Sequence, residues 1–212
     1  MRDIPVFATQ NGVASLVLNE IPYWKKAYII VQSVSHPDLF INECKGFCLA
    51  VGAQEIYASG DICLKEFPKH TSILKMCASK DALPDTDAAL FPVQNETLEQ
   101  WRSIYNQKME KVLGAAYMTV QDGQKMIRDQ DGYFVHKDGQ LLGIGRAAGN
   151  KISAIAAIKP GAGRCIVAAL SHSIFTETIT LQVASSNEKA MSLYKQLGFV
   201  PVEELSCWYK II

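Results

Sequence analysis

The sequence predicts an α/β fold with a mixed central sheet flanked by helices, and three observations predict it. Strand-type segments, β-branched and aromatic, alternate with segments whose apolar residues recur at helical spacing. The order strand, turn, strand, helix, strand occurs twice, over residues 12–58 and again over 139–184. Of the 212 residues, 49% are apolar, enough for one substantial core or for two small domains sharing an interface, which excludes a disordered chain.

Ala14 to Leu18 reads as a strand, Ile21-Pro22-Tyr23 with Lys25 and Lys26 as a turn region, and Ala27 to Val34 as a second strand. Pro37-Asp38 opens a helix on which Leu39, Phe40, Cys44, Phe47, Cys48 and Val51 recur, with Gly52 near its end. Gln54 to Ala58 is a third strand and Thr71 to Cys77 a further one. Leu83-Pro84-Asp85-Thr86-Asp87 marks a junction that divides the chain into 1–87 and 88–212.

Beyond it, Leu90 to Val93 is a short strand, and Asn95 or Thr97 caps a helix with Leu98, Trp101, Ile104, Tyr105 and Met109 on one face. A polar, turn-rich segment containing Asp122-Gly123 follows. Tyr133 to Val135 pairs through Lys137-Asp138-Gly139 with Leu141 to Ala147 as a hairpin. Ile152 to Ile158 is an almost wholly apolar strand. Pro160-Gly161-Ala162-Gly163-Arg164 is a tight glycine turn into a helix carrying Ile166, Val167 and Leu170, and Ile179 to Ala184 is the next strand. Strands at Val200 to Leu205 and Trp208 to Ile211 end the chain.

Set Gly12 against Gly139 and the two segments run 46 and 45 residues, to Ala58 and Ala184, with Lys26 falling near Lys151. This pattern suggests an internal duplication. Its first copy has His36-Pro37-Asp38 where the second has its glycine turn, so its backbone cannot so readily present successive amides to a phosphate. The first copy is the poorer nucleotide site.

Lys plus Arg and Asp plus Glu both number 21; so even a balance argues against a polyanionic partner such as nucleic acid. Met1-Arg2-Asp3-Ile4-Pro5 lacks the apolar stretch of a signal peptide, and no run reaches the roughly 18 apolar residues that span a bilayer. The expectation is a soluble, cytoplasmic protein without a membrane partner. Cys44, Cys48, Cys63, Cys77, Cys165 and Cys207 form no Cys-x-x-Cys pair, and their mostly apolar settings suit reduced thiols. Cys44 and Cys48, four apart with no matching His, read as buried structural thiols; no metal is expected.

Two constellations carry chemistry. A strand, a glycine turn and a helix start present unpaired N–H groups and the positive end of a helix dipole, which suits a pyrophosphate. Gly161, Gly163 and Arg164 fit it, although a tight connection with no ligand explains such a turn equally well. The second runs through Val183, Asn187, Ala190, Leu193, Tyr194 and Leu197-Gly198-Phe199: Ala190 keeps one helix face small, Leu193 and Leu197 bury the other, and Gly198 ends the helix in the left-handed conformation.

Residues 181–199 resemble the strand and helix near the C-terminus of the GNAT (GCN5-related) N-acetyltransferases, and the upstream order also resembles that family. The resemblance is specific over 181–199, moderate over 88–180, and rests on element order over 1–87. It implies a GNAT acetyl-CoA-binding domain over 88–212 behind a degenerate GNAT-like half over 1–87. It implies acetyl-CoA as co-substrate between two splayed parallel strands, the first being Ile152 to Ile158, with Ala156, Ala157 and Ile158 facing the pantetheine arm. The phosphate loop departs from the family's pattern: Ala162 falls at the Arg or Gln position, and Cys165 and Val167 at the two small ones. The amides of Gly163, Arg164, Cys165 and Ile166 remain as ligands, the Arg164 guanidinium adds charge, and Val167 is expected to crowd the phosphates.

The resemblance further implies Tyr194 as the phenol that protonates the departing thiolate and Asn187 as an amide bonding to the cofactor arm. No acid lies between Lys151 and Lys159, so no general base is assigned, with Tyr117, His136 and His172 as candidates. Cys165 at a helix N-terminus makes an acyl-enzyme conceivable, direct attack being simpler. Trp101 fills a core or lines an acceptor pocket. The function implied is transfer of an acetyl group to a primary amine of a small molecule or peptide, in a possible homodimer. The alternatives are a catalytically weak acyl-CoA sensor and an aminoacyl-transferring relative.

Overall fold

The computed structural model describes residues 4–60, 64, 66–174 and 176–212; Cys63 and Met1-Arg2-Asp3 lie outside the described residues. The chain forms two compact units, 1–73 with 205–212, and 74–204. The sequence places a junction at 87; the division falls instead inside a strand, Lys69–Ser79, and a second strand, Val200–Lys210, crosses back.

In the first unit, β1 (Val6–Thr9) and β2 (Gly12–Val17) form a hairpin, followed by a short helix α1 (Ile21–Trp24), β3 (Lys26–Val34), α2 (Pro37–Ala50) and β4 (Glu55–Ser59). β1 has no counterpart in the sequence reading, and α1 occupies the segment read as a turn, with Pro22 in its first turn. β1-β2 and β2-β3 are antiparallel and β3-β4 parallel. The core stripe of α2 is Phe40, Ile41, Cys44 and Cys48, all at 0–1% exposure. Leu39, Phe47 and Val51, read on the same stripe, face outward.

In the second unit, β5 (Lys69–Ser79), β6 (Ala89–Pro92), α3 (Leu98–Met109), α4 (Val120–Asp129), β7 (Gly132–Lys137), β8 (Gln140–Ala148), β9 (Lys151–Ala157), α5 (Gly163–His172), β10 (Thr178–Ala184), α6 (Glu188–Gln196) and β11 (Val200–Lys210) follow in order. The helix α4 corrects the reading of 120–129 as turns. Thr119 and Asp122 exchange backbone-to-side-chain hydrogen bonds as a capping box. A Cβ at Gly123 would stand 2.6 Å from Leu98 Cδ1, so this glycine serves close packing of α4 on α3. β11 is likewise one strand where two were read.

The antiparallel pairs β7-β8 and β8-β9, the helix α5 and the parallel pair β9-β10 repeat the topology of β1-β2-β3-α2-β4. The mixed, helix-flanked sheet and its duplication therefore stand as the sequence predicts. The next strands are exchanged: β5, following the first copy, hydrogen-bonds to β10, while β11, following the second, pairs antiparallel with β4 through Tyr209–Ala58 and Lys210–Tyr57. Tyr209 and Ile211 thereby join the core of the first unit.

Helices cover both faces of the second sheet. α5 packs on one face, where Gly143 and Gly145 of β8 leave room for Ile166 and Leu170. On the other, Trp101 and Met126 pack with Phe134, Ile144 and Ala156. Among the described residues no helix is long and apolar enough to cross a membrane.

Candidate functional site

The parallel ladder between β9 and β10 has two rungs, Lys151–Thr180 and Ile152–Leu181. Both strands continue, to Ala157 and Ala184, without pairing further, so they part. β8 holds β9 as far as Ala157, and beyond it the Ile158 N–H donates to the Leu142 carbonyl at 2.9 Å. Antiparallel strands turn alternate residues toward each neighbour. With Ile158 bonded toward β8, the peptide groups of Ile155 and Ala157 face the opening. In the first unit the equivalent ladder, β3-β4, has five rungs from Lys26–Glu55 to Ile30–Ser59 and does not open.

The glycine turn brings the chain from β9 into α5. Gly161 adopts φ +80°, a conformation that favours glycine, and the Ala162 N–H closes the turn on the Lys159 carbonyl. No side chain caps α5. The Ile166 N–H donates to the Ala162 carbonyl at 3.0 Å, so the amides left without a helical acceptor are those of Gly163, Arg164 and Cys165. Arg164 is exposed and Cys165 half-buried. Ile166 and Val167 are fully buried in the core, so the Val167 side chain points away from the turn.

Helix α6 lies close to this turn, since a Cβ at Gly163 would stand 2.7 Å from Leu193 Cδ2. Asn187 begins α6 with its Oδ1 accepting the Ala190 N–H at 3.2 Å, a cap that engages the oxygen of the amide side chain and not its Nδ2. Tyr194 is 8% exposed, its ring edge-on to Phe199 at 5.9 Å, and burial pushes its phenol up to about 12. Gly198, at φ +86°, ends the helix, and the Phe199 N–H returns to the Tyr194 carbonyl. A concavity of about 440 Å³ lined by Ser185, Glu188, Met191, Ser192, Lys195 and Gln196 includes none of the predicted site residues.

The remaining candidates are dispersed. Trp101 is fully buried, stacks on Tyr105 and donates its indole N–H to the Tyr133 carbonyl, a core residue. His136 sits edge-on to Phe91, His172 is exposed at the end of α5, and Tyr117 lies in the segment before α4. The sequence reading passed over Arg146. Its Nε donates to Asp131 Oδ1 at 2.7 Å and its Nη2 lies 4.0 Å from Asp129 Oδ2. The available signal was a lone arginine inside the apolar strand Leu141 to Ala147.

No family model and no curated protein matches the sequence. Among solved structures the chain is similar to a GCN5-related N-acetyltransferase from Anabaena variabilis, with 11% identity, TM-score 0.62, and coverage of 94% of this chain and 59% of that one. It is similar to a conserved Staphylococcus epidermidis protein of unknown function, with 12% identity, TM-score 0.60, and coverage of 98% and 93%. It also resembles a tandem GNAT protein from the clavulanic acid biosynthesis pathway, with 12% identity, TM-score 0.51, and coverage of 94% and 78%. With its parted parallel strands, its α5 turn and a second copy of the same topology, the chain has the GNAT fold of the acetyltransferases.

Proposed function

We propose that the protein is an acyl-CoA-dependent N-acyltransferase that moves an acetyl group from acetyl-CoA to a primary amine. The single observation that carries this reading is the ladder that stops after two rungs in the second unit and runs through five in the first. The parted strands leave peptide groups of Ile155 and Ala157 able to bond to a pantetheine arm, and the amides of Gly163, Arg164 and Cys165 meet a pyrophosphate at the positive end of α5. The side chain of Arg164 adds charge there. Of the positions that the family resemblance implied, Ala156, Ile158, Ile166 and Val167 serve by shaping the strand and helix, and Asn187 by fixing the start of α6.

In this reading a neutral amine attacks the thioester carbonyl directly, the strand amides polarise that carbonyl, and the C–S bond breaks as Tyr194 donates its proton to sulfur. The Tyr194 phenol, its pKa raised further by burial, carries its proton at neutral pH. The strand from Lys151 to Ala157 carries no acid, so the proton of the amine leaves through water.

The capped Asn187 and the acid-free strand favour a second reading, a sensor that binds acyl-CoA without turnover. Calorimetric titration with acetyl-CoA, repeated on Arg164→Ala, tests the donor site. One molar equivalent bound by the native chain and weaker binding by the variant support it; no binding by the native chain removes it. Thiol release on an amine panel then separates enzyme from sensor.

A further inference from the structure

We propose that Arg146 recognises a carboxylate on the acceptor, so that the amine acylated belongs to an amino acid or a similar amino carboxylate; this rests on the reading above. Arg146 lies on β8 directly opposite Ala154 of β9, one strand from the opening and at the level where it begins. Paired residues of an antiparallel ladder share a face. Ile144 and Ala156 pair and both lie in the cluster under α3, so Arg146 and Ala154, two residues on, point to that same side. Of the two small residues on that face of β9, Ala156 is buried in the cluster under α3 and Ala154, opposite Arg146, is half-buried, so only a methyl group stands on β9 beside the guanidinium.

The guanidinium is held by one edge only. Asp131, itself 6% exposed and with its own carbonyl accepting the Ala147 N–H, fixes Nε. Nη2 faces Asp129 at 4.0 Å, beyond hydrogen-bond length, and Nη1 has no partner among the described residues. That leaves a fork of donors suited to a carboxylate.

Charge favours an added anion. Lys125, Arg128 and Arg146 surround two carboxylates: Asp129 pairs with Lys125 and lies near Arg128, and Asp131 pairs with Arg146. Three cations against two anions leave the patch net positive by one, the excess cation being the exposed Arg128 of α4, since Lys125 is paired with Asp129 and Arg146 with Asp131. Tyr105, stacked on Trp101, is also close enough to Arg146 to act on it electrostatically.

The test is saturation-transfer NMR on the full chain with CoA present, using the twenty proteinogenic L-amino acids and, in parallel, their carboxamides. Binding of one or more amino acids, at least tenfold weaker for the matching amide, and its loss in Arg146→Gln with partial rescue in Arg146→Lys, would support the inference. Equal binding of acids and amides, binding unchanged in Arg146→Gln, or no binding in either series would overturn it. A thermal melt of each variant tests whether the Asp131 pair is needed for folding; should Arg146→Gln unfold, the acid-against-amide comparison on the native chain decides alone. Failure of the donor reading shows separately, as a flat acetyl-CoA titration.

Discussion

Tyr28 and Tyr57 stack across the third rung of the β3-β4 ladder, their ring centroids 5.7 Å apart and their planes 23° from parallel. Counted from the lysines that open the two ladders, Lys26 and Lys151, the same rung in the second copy would join Ser153 to Gln182, and it is absent. Trp208 meets Tyr28 edge-on at 5.5 Å. The closed copy thus carries an aromatic clasp where the open copy has two small or polar side chains in contact with solvent.

Tyr57→Ala should therefore destabilise the chain by about 3–5 kcal/mol, the usual range for truncating a buried aromatic. It should leave acetyl-CoA stoichiometry at one per chain, because the first copy also lacks the glycine turn. Urea denaturation and calorimetry read the two quantities; a stoichiometry of two would mean that the clasp alone had closed a second donor site.

Glycines near the opening differ in what a methyl group would meet. At Gly143 it would stand 2.4 Å from the Ala156 carbonyl oxygen, which is backbone, and 2.6 Å from Ile166. At Gly163 it would meet only the end of Leu193, which can turn aside. Gly143→Ala should cost about 1–3 kcal/mol or more and Gly163→Ala distinctly less, measured by denaturant midpoints.

Tyr194→Phe removes a proton donor without removing the ring that packs on Phe199. Turnover should fall by about 10²-fold, the low end for losing a general acid, with the dissociation constant of acetyl-CoA essentially unchanged. Comparable turnover in the variant would take the role away from Tyr194.

Alkaline solution should destabilise the fold in a defined window. Burial pushes Cys44 up to about 12, Cys48 to about 11 and Tyr194 to about 12, from ordinary values of 9.0 for thiols and 10.0 for phenol. From about pH 9 upward the unfolded chain has lost protons that the folded chain still holds, so stability falls as pH rises. Each group adds a slope of about 1.4 kcal/mol per pH unit within its own window. Thermal melts from pH 7 to 11 should show the decline, and Cys48→Ala should flatten it.

Much of the architecture was legible because its elements are strongly patterned. The apolar strand before the glycine turn, the Asn187 cap and the Gly198 stop are local signals, and local chemistry sets them. The helix α4 was missed because Asp122-Gly123 has turn composition, whereas its glycine is there to let Leu98 approach. Arg146 was missed because its use depends on Asp131 across a hairpin, and no spacing along the chain announces that. The phosphate-turn register set Val167 against the phosphates, where it would crowd them; the helix begins so that Val167 is already one turn inside and buried.

The exchange of β5 and β11 has a consequence for biosynthesis. β4 ends at Ser59, and the strand that covers its edge pairs with it through Tyr209 and Lys210, within 205–212. At ordinary translation rates the ribosome needs roughly 7–30 s to make the intervening stretch of about 145 residues. Throughout that interval the first copy presents an unpaired strand edge, so the nascent chain is exposed to holding chaperones and to mispairing until residues 205–212 emerge.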